Sequence, residues 1–250
     1  MTGGDLRPPG NGTKTRKGIF AASAATRISG TKRHSTRVVL ALPGAHRHPF
    51  ETGVIADMAR RAAVLGELLA PGAGVDAWMY TSRPHRLPEL RLPQAAGWIA
   101  DWAVLPGEPL LSRDAAPGNL LARHSDRYEL FGPEDAAAAI RGIARSLGVE
   151  DGPALVLFYV WGFHSEGPGM ADQLEAASGR NVFWQFVGDT GVGSSVLDRL
   201  DTLRVEAPHI SNLDLYKGWD AIQETPEYFF FRGVLKPFVR WRKARSRTAN

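Results

Sequence analysis

The sequence predicts an α/β protein whose mostly parallel sheet is flanked by helices, and three observations carry that prediction. Short apolar runs alternate along the chain with stretches whose apolar residues recur three and four apart, the order in which strands and crossover helices follow one another. Residues 154–161 (ALVLFYVW) are eight apolar residues without alternation, the pattern of a strand buried on both faces. The chain has 250 residues, 44% of them hydrophobic and 22% charged, which is ordinary for one globular domain with tails and long enough to enclose a core.

Element by element, residues 1–36 are rich in Gly, Pro, Thr, Ser, Lys and Arg without a period and are expected to form a disordered basic tail. Residues 19–25 (IFAASAA) follow Lys14, Arg16 and Lys17 in the order of a signal peptide, but the run is short, Ala-dominated and followed by further basic residues, so export is not expected. Order begins at Arg37. Residues 38–42 (VVLAL) read as a strand closed by Pro43-Gly44. Val54, Ile55, Met58, Ala62, Leu65, Leu68 and Leu69 mark one face of a helix that Pro71-Gly72 ends. Residues 75–80 read as a second strand, 81–93 as irregular, 94–104 as a short helix and 105–132 as a long excursion. Pro133-Glu134-Asp135 opens a helix through Leu147, with Pro and acidic residues in its first turn. After 154–161 come a helix over 170–177, a strand over 182–187, a helix over 194–203, a short strand in 204–210 and a further helix over 212–224. Residues 227–245 mix aromatics with Arg and Lys around Pro237.

Composition narrows the function classes. No apolar run approaches the roughly 20 residues of a membrane-spanning helix. With no cysteine, disulfide scaffolds, zinc ribbons, iron–sulfur sites and cysteine nucleophiles are out, and a reducing cytoplasm is the expected location. The net charge of +4 is unevenly spread: residues 1–37 carry eight Lys/Arg against Asp5, residues 232–250 carry seven against none, and the middle holds fifteen basic and twenty-five acidic residues. The body is therefore expected to be acidic and the ends basic, able to bind nucleic acid or anionic lipid.

Residues 177–201, ASGRNVFWQFVGDTGVGSSVLDRLD, carry a family resemblance. Phe183–Gly188 and Val196–Asp201 resemble the FWQFVG strand and FLEKLD-like helix of the von Willebrand factor A (vWA) domain of the tellurium-resistance TerF type. Leu157-Phe158-Tyr159 before Gly162 resembles that family's LFxTDG strand, 38–45 falls where its first strand and metal motif belong, and Leu215-Tyr216 with 224–228 loosely resembles its closing helices. The resemblance covers roughly 37–232, leaving 233–250 as a basic C-terminal helix or tail. It implies a doubly wound sheet, vWA- or Rossmann-like, that reverses beside its first strand, with divalent-cation-dependent binding at the strands' carboxyl ends. The family's metal-ion-dependent adhesion site takes an Asp and two Ser after the first strand, a mid-chain Thr and an Asp after the fourth strand, all oxygen donors as Mg²⁺ requires. At those positions this sequence has Ala41, Pro43, Ala45 and Trp161, and residues 113–119 offer no Thr. The resemblance therefore implies a degenerate site with no cofactor.

The same loops carry other polar groups. His46, His48 and Glu51 follow the first strand and His164 and Glu166 the fourth, a donor set suited to Zn²⁺ or a similar metal if the loops meet; exposed surface is the plainer reading. Residues 188–195 (GDTGVGSS) have the spacing of a phosphate-binding loop, but Ser194 stands where the Lys belongs. No GxSxG triad pattern is present, and Glu134/Asp135 and Glu150/Asp151 read as caps or solvated ends. The aromatic–cation segment 229–243 reads as a closing helix with snorkelling Arg side chains, or as a surface for single strands or membranes. The expected function is non-catalytic: metal-independent docking of a protein partner, possible neighbours being other tellurium-resistance-type proteins, at a crevice lined by His46, His48, Glu51, His164, Glu166 and Asp189. Nucleic-acid or anionic-membrane binding through the tails is the alternative, and a hydrolase using Asp189, His46 and His164 is a third reading.

Overall fold

The structure, a computed structural model, describes residues 17–25, 36–102, 127–148, 152–161, 169–188, 194–207, 209–217 and 224–248. Six strands, β1 (Arg37–Pro43), β2 (Val75–Tyr80), β3 (Pro84–Arg86), β4 (Ala154–Tyr159), β5 (Val182–Gly188) and β6 (Leu213–Lys217), form one sheet in the order β3-β2-β1-β4-β5-β6. All neighbours are parallel except β3, which runs antiparallel to β2. Helices cover both faces, as a right-handed doubly wound sheet requires.

The alternation of side chains along each strand sorts them into two cores. Val38, Leu40 and Leu42 of β1 join a core with α3 (Val54–Leu69), α4 (Ala95–Trp102) and α8 (Glu227–Thr248). Val39 and Ala41 join the opposite core with α5 (Ala136–Ser146), α6 (Met170–Ala177) and α7 (Ser194–Glu206). Two further helices are small: α1 spans residues 17–25, and α2 (His48–Glu51) is a single turn with Pro49 near its start. Asp135 caps α5, its carboxylate accepting from the Ala138 N–H at 2.8 Å, which is the role its position before the helix predicts.

Three expectations need correction. Residues 17–25, assigned by composition to a disordered tail, are a helix with Ala22 and Ala25 fully buried. Their small side chains allow α1 to lie close on the α3–α8 layer: a Cβ on Gly18 would stand 3.0 Å from Arg60 Nη1 and 3.5 Å from Val64 Cγ2. Residues 84–86, read as irregular, are the edge strand β3, and a short 3₁₀ turn follows at Leu92–Gln94. Finally, α7 continues to Glu206, and the last strand is Leu213–Lys217, inside the stretch expected to be helical. Leu213 and Leu215 face α7 while Asp214 and Tyr216 face the other way, so the period is two and Leu215-Tyr216 belongs to a strand, not to a closing helix.

Beneath α1 lies a group of buried charges. Arg60 and Arg61 of α3 are 6% and 1% exposed. Both pair with Asp57 and Glu227, Arg61 donates to the Thr225 carbonyl at 2.8 Å, and its guanidinium lies 4.5 Å from the Phe230 ring centre. Burial works against the charge on Arg60, but Asp57 and Glu227 outweigh it and hold the guanidinium above its usual pKa. The α8 helix passes through Pro237, which removes one helical N–H and crowds the carbonyl four residues back, at Gly233. Gly233 also meets the Tyr216 ring, where a Cβ would fall 2.1 Å from Cε2.

Candidate functional site

Open α/β sheets hold ligands outside the carboxyl ends of their strands, where the strand order reverses. Here that point lies between β1 and β4. Ala41 is wholly buried and sits in register between Trp78 of β2 and Phe158 of β4. Pro43 is also buried, and Trp161, just beyond β4, is 8% exposed.

The space over these residues is filled from β2. Tyr80, paired in register with Pro43, is 0% exposed. Its ring centre is 4.8 Å from that of Phe158, and its hydroxyl donates to the Tyr159 carbonyl at 2.6 Å. Because β1 lies between β2 and β4, the phenol bridges the two across the end of β1, on the face it shares with Ala41. An aspartate at position 41 would project into the same face. Burial, and then the neighbouring charge of Glu134 and the Tyr159 phenol, push the Tyr80 pKa well above its usual value, so Tyr80 stays protonated and donates.

The turn after β1 is fixed by the backbone. The Gly44 N–H donates to the Tyr80 carbonyl at 2.9 Å, and the Phe131 N–H donates to the Gly44 carbonyl at 2.8 Å. A Cβ on Gly44 would stand 2.7 Å from Thr81 Cγ2. The rim is aromatic and cationic. The exposed His48 ring lies 5.6 Å from the Trp161 ring, the Arg47 guanidinium 4.8 Å from the Phe131 centre, and Phe50 packs edge-on against Phe131 at 5.9 Å. An imidazole–indole contact thus joins the segment after β1 to Trp161, just beyond β4; residues 162–168 lie outside the described residues.

Mg²⁺ needs a near-octahedral shell of oxygens. Ala41, Pro43, Ala45 and Trp161 supply no side-chain oxygen, and Tyr80 Oη is engaged with Tyr159. The nearby Thr81 hydroxyl is fully buried and lies 3.1 Å from both the Tyr128 carbonyl and His85 Nε2. These residues do not fit the ion.

Of the crevice residues expected from sequence, His48 and Glu51 are exposed and His46 is half-buried, all on the segment after β1. His164, Glu166 and Asp189 lie outside the described residues, as do all of residues 189–193 in the glycine-rich loop. Among the described residues no three His, Asp or Glu side chains gather as a metal site. Sequence reasoning missed Tyr80 and a nearby polar cluster. There, His85 Nε2 lies 3.1 Å from Thr81 Oγ1, Ser82 donates to Glu129, and Arg83 pairs with Glu129 at 2.8 Å. The Thr81 hydroxyl is also within reach of the Tyr128 and Arg83 carbonyls, at 3.1 and 3.4 Å. Burial, followed by the Arg83 charge, lowers the His85 pKa.

A six-stranded sheet in this order, antiparallel only at β3 and reversing between its first and fourth strands, is a von Willebrand factor A-type fold. The chain belongs to the vWA-TerF-like family: the model of that family, described as the vWA found in the TerF C terminus, matches residues 33–249. The uncharacterized protein YcbR of Bacillus subtilis (strain 168) is 24% identical over 209 residues, 82% of this chain and 76% of that protein. Among solved structures, proximal thread matrix protein 1 (PTMP1) from the mussel byssus, with a zinc-occupied MIDAS motif, superposes with a TM-score of 0.53 at 9% identity, over 82% of this chain and 48% of that one. Another structure of the same protein gives a TM-score of 0.52 at 10% identity, over 82% of this chain and 47% of that one. The chain therefore spans about half the length of the solved structures it matches, and at this identity the likeness is one of fold.

Proposed function

We propose that this chain is a non-catalytic protein-interaction module, which docks a protein partner at the carboxyl ends of β1 and β4 without Mg²⁺. The observation that carries the reading is Tyr80, whose buried ring and hydroxyl bridge β2 to β4 across the point where the fold would hold an ion. With that point filled, the surface left to a partner is the rim: His48 against Trp161, Arg47 against Phe131, and the exposed carboxylate of Glu51. Side chains that tilt on aromatic faces present both an apolar body and a polar tip, the mixture found at interface centres. The family's description by reference to TerF supports a setting in bacterial stress response or defence, in the cytoplasm and beside other tellurium-resistance-type proteins.

The test is affinity capture from native lysate with the full chain, its His48→Asp variant and excess EDTA. The reading expects the same retained partner with and without chelator and its loss from the variant. Capture that requires Mg²⁺, or that ignores the substitution at the rim, would contradict it.

A further inference from the structure

The α8 helix carries a ridge of cations that the vWA reading does not use. Arg232, Lys236 and Arg240 are exposed and spaced four apart, so they stack on one face at intervals of about 6 Å. Like charges at this spacing destabilise a helix, and no ion pair joins any of the three to a carboxylate among the described residues. All three line an elongated hollow between α8 and β6, made of two adjoining cavities of ≈ 420 and ≈ 440 Å³ that share Asp214, Pro237 and Arg240. The hollow runs from Phe229 to Arg245, about 24 Å of helix.

Its other wall is the last strand of the sheet, with no strand paired beyond it among the described residues. Asp214 of that strand is held by Arg204 at 3.0 Å and also feels the charge of Arg240, so the one carboxylate in the hollow faces two arginines, and Arg232 and Lys236 are left without an acidic neighbour in its lining. The lining thus carries excess positive charge beside the backbone of an edge strand.

We infer that this groove binds an acidic peptide segment in extended conformation, on a surface separate from the crevice at β1 and β4. Alternate residues of an extended chain lie about 6.7 Å apart on one face, so carboxylates at alternate positions match the ridge, and about seven residues fill the groove's length. A peptide also brings backbone N–H groups for Asp214 and for the carbonyls of β6, whereas a phosphodiester backbone has none to give. Nor does the groove offer a row of open aromatic faces of the kind single strands use: Trp241 is only 7% exposed, and Phe229, at 51%, lies at one end with its ring edge-on to Tyr228.

Fluorescence anisotropy with the full chain tests the proposal, using a labelled ten-residue peptide alternating Glu and Thr, a ten-nucleotide oligothymidine and phosphatidylserine vesicles. The expected result is saturable peptide binding that weakens with added salt. It should fall about tenfold or more in the Arg232→Glu/Lys236→Glu/Arg240→Glu variant, as close charge pairs at interfaces do, and by less in the corresponding Gln variant, with far-UV circular dichroism unchanged in both. Absence of saturable binding, equal affinity in the charge-reversed chain, or preference for the oligonucleotide or the vesicles over the peptide would overturn it.

Discussion

At the scale of single residues, the account turns on Tyr80. A protonated phenol buried at the strand ends stabilises the sheet through one hydrogen bond and through its ring on Phe158. Tyr80→Phe keeps the ring and removes the bond, and a net loss of about 1 kcal/mol is expected, read from the urea midpoint with an unchanged slope. Gly233 is a second residue whose chemistry is fixed by its neighbour. A Cβ there overlaps the Tyr216 ring, so Gly233→Ala should lower stability by about 1–3 kcal/mol as an overpacking change, although alanine is the better helix former; a stabilised variant would refute the close approach.

At the scale of elements, two clusters of charge tie the sheet and its helices together. Glu227, 22% exposed at the start of α8, balances Arg60 and Arg61 of α3. Its removal in Glu227→Ala leaves buried guanidinium charge that Asp57 alone must balance, and a loss of about 3 kcal/mol is expected in chemical unfolding. On the other side of the sheet Asp76 of β2 accepts from Arg37 of β1 and from Arg86 of β3. Burial raises its pKa, but the hydrogen bonds and charges of the two arginines outweigh burial and hold it below the usual carboxylate value. The stabilisation is then full above the unfolded carboxylate value and is lost as pH falls through the folded one. Asp76→Asn should therefore cost stability at neutral pH and progressively less in acid, and a difference that persists below the folded pKa would contradict the assignment.

The strands legible in the sequence are those buried on both faces. β1, β4 and β5 announce themselves as continuous apolar runs because helices lie above and below them. The edges did not, for the opposite reason: β3 has three residues including Pro84, and β6 (LDLYK) is five residues long, too few for a period to stand out beside the preceding helix. The loss of oxygen ligands at positions 41, 43, 45 and 161 could be read from residue types alone once the resemblance located them. That Tyr80 fills the space could not, because it depends on the register of β2 against β1 and on β4 lying beyond. The burial of α1 escaped notice because alanines packed closely on a helix look, in sequence, like any small-residue segment.

At the scale of the whole molecule, the charge is arranged in three parts, with an acidic middle between basic ends, and the described portions of both ends are helical. The C-terminal helix supplies a core face through Phe230, Phe231, Val234, Leu235 and Phe238 and a cationic ridge on the other side, so its charge belongs to the folded domain rather than to a tail. The N-terminal helix covers the Arg60–Glu227 group, and deletion of residues 1–25 should lower the thermal midpoint; an unchanged midpoint would mean that α1 is not part of the cooperative unit. The central claim, that this vWA fold has exchanged its ion for a phenol, is tested most directly by isothermal titration of the full chain with Mg²⁺. The expected result is no saturable heat, and none gained in Tyr80→Phe, which keeps the ring in place; saturable binding in the micromolar range would contradict it.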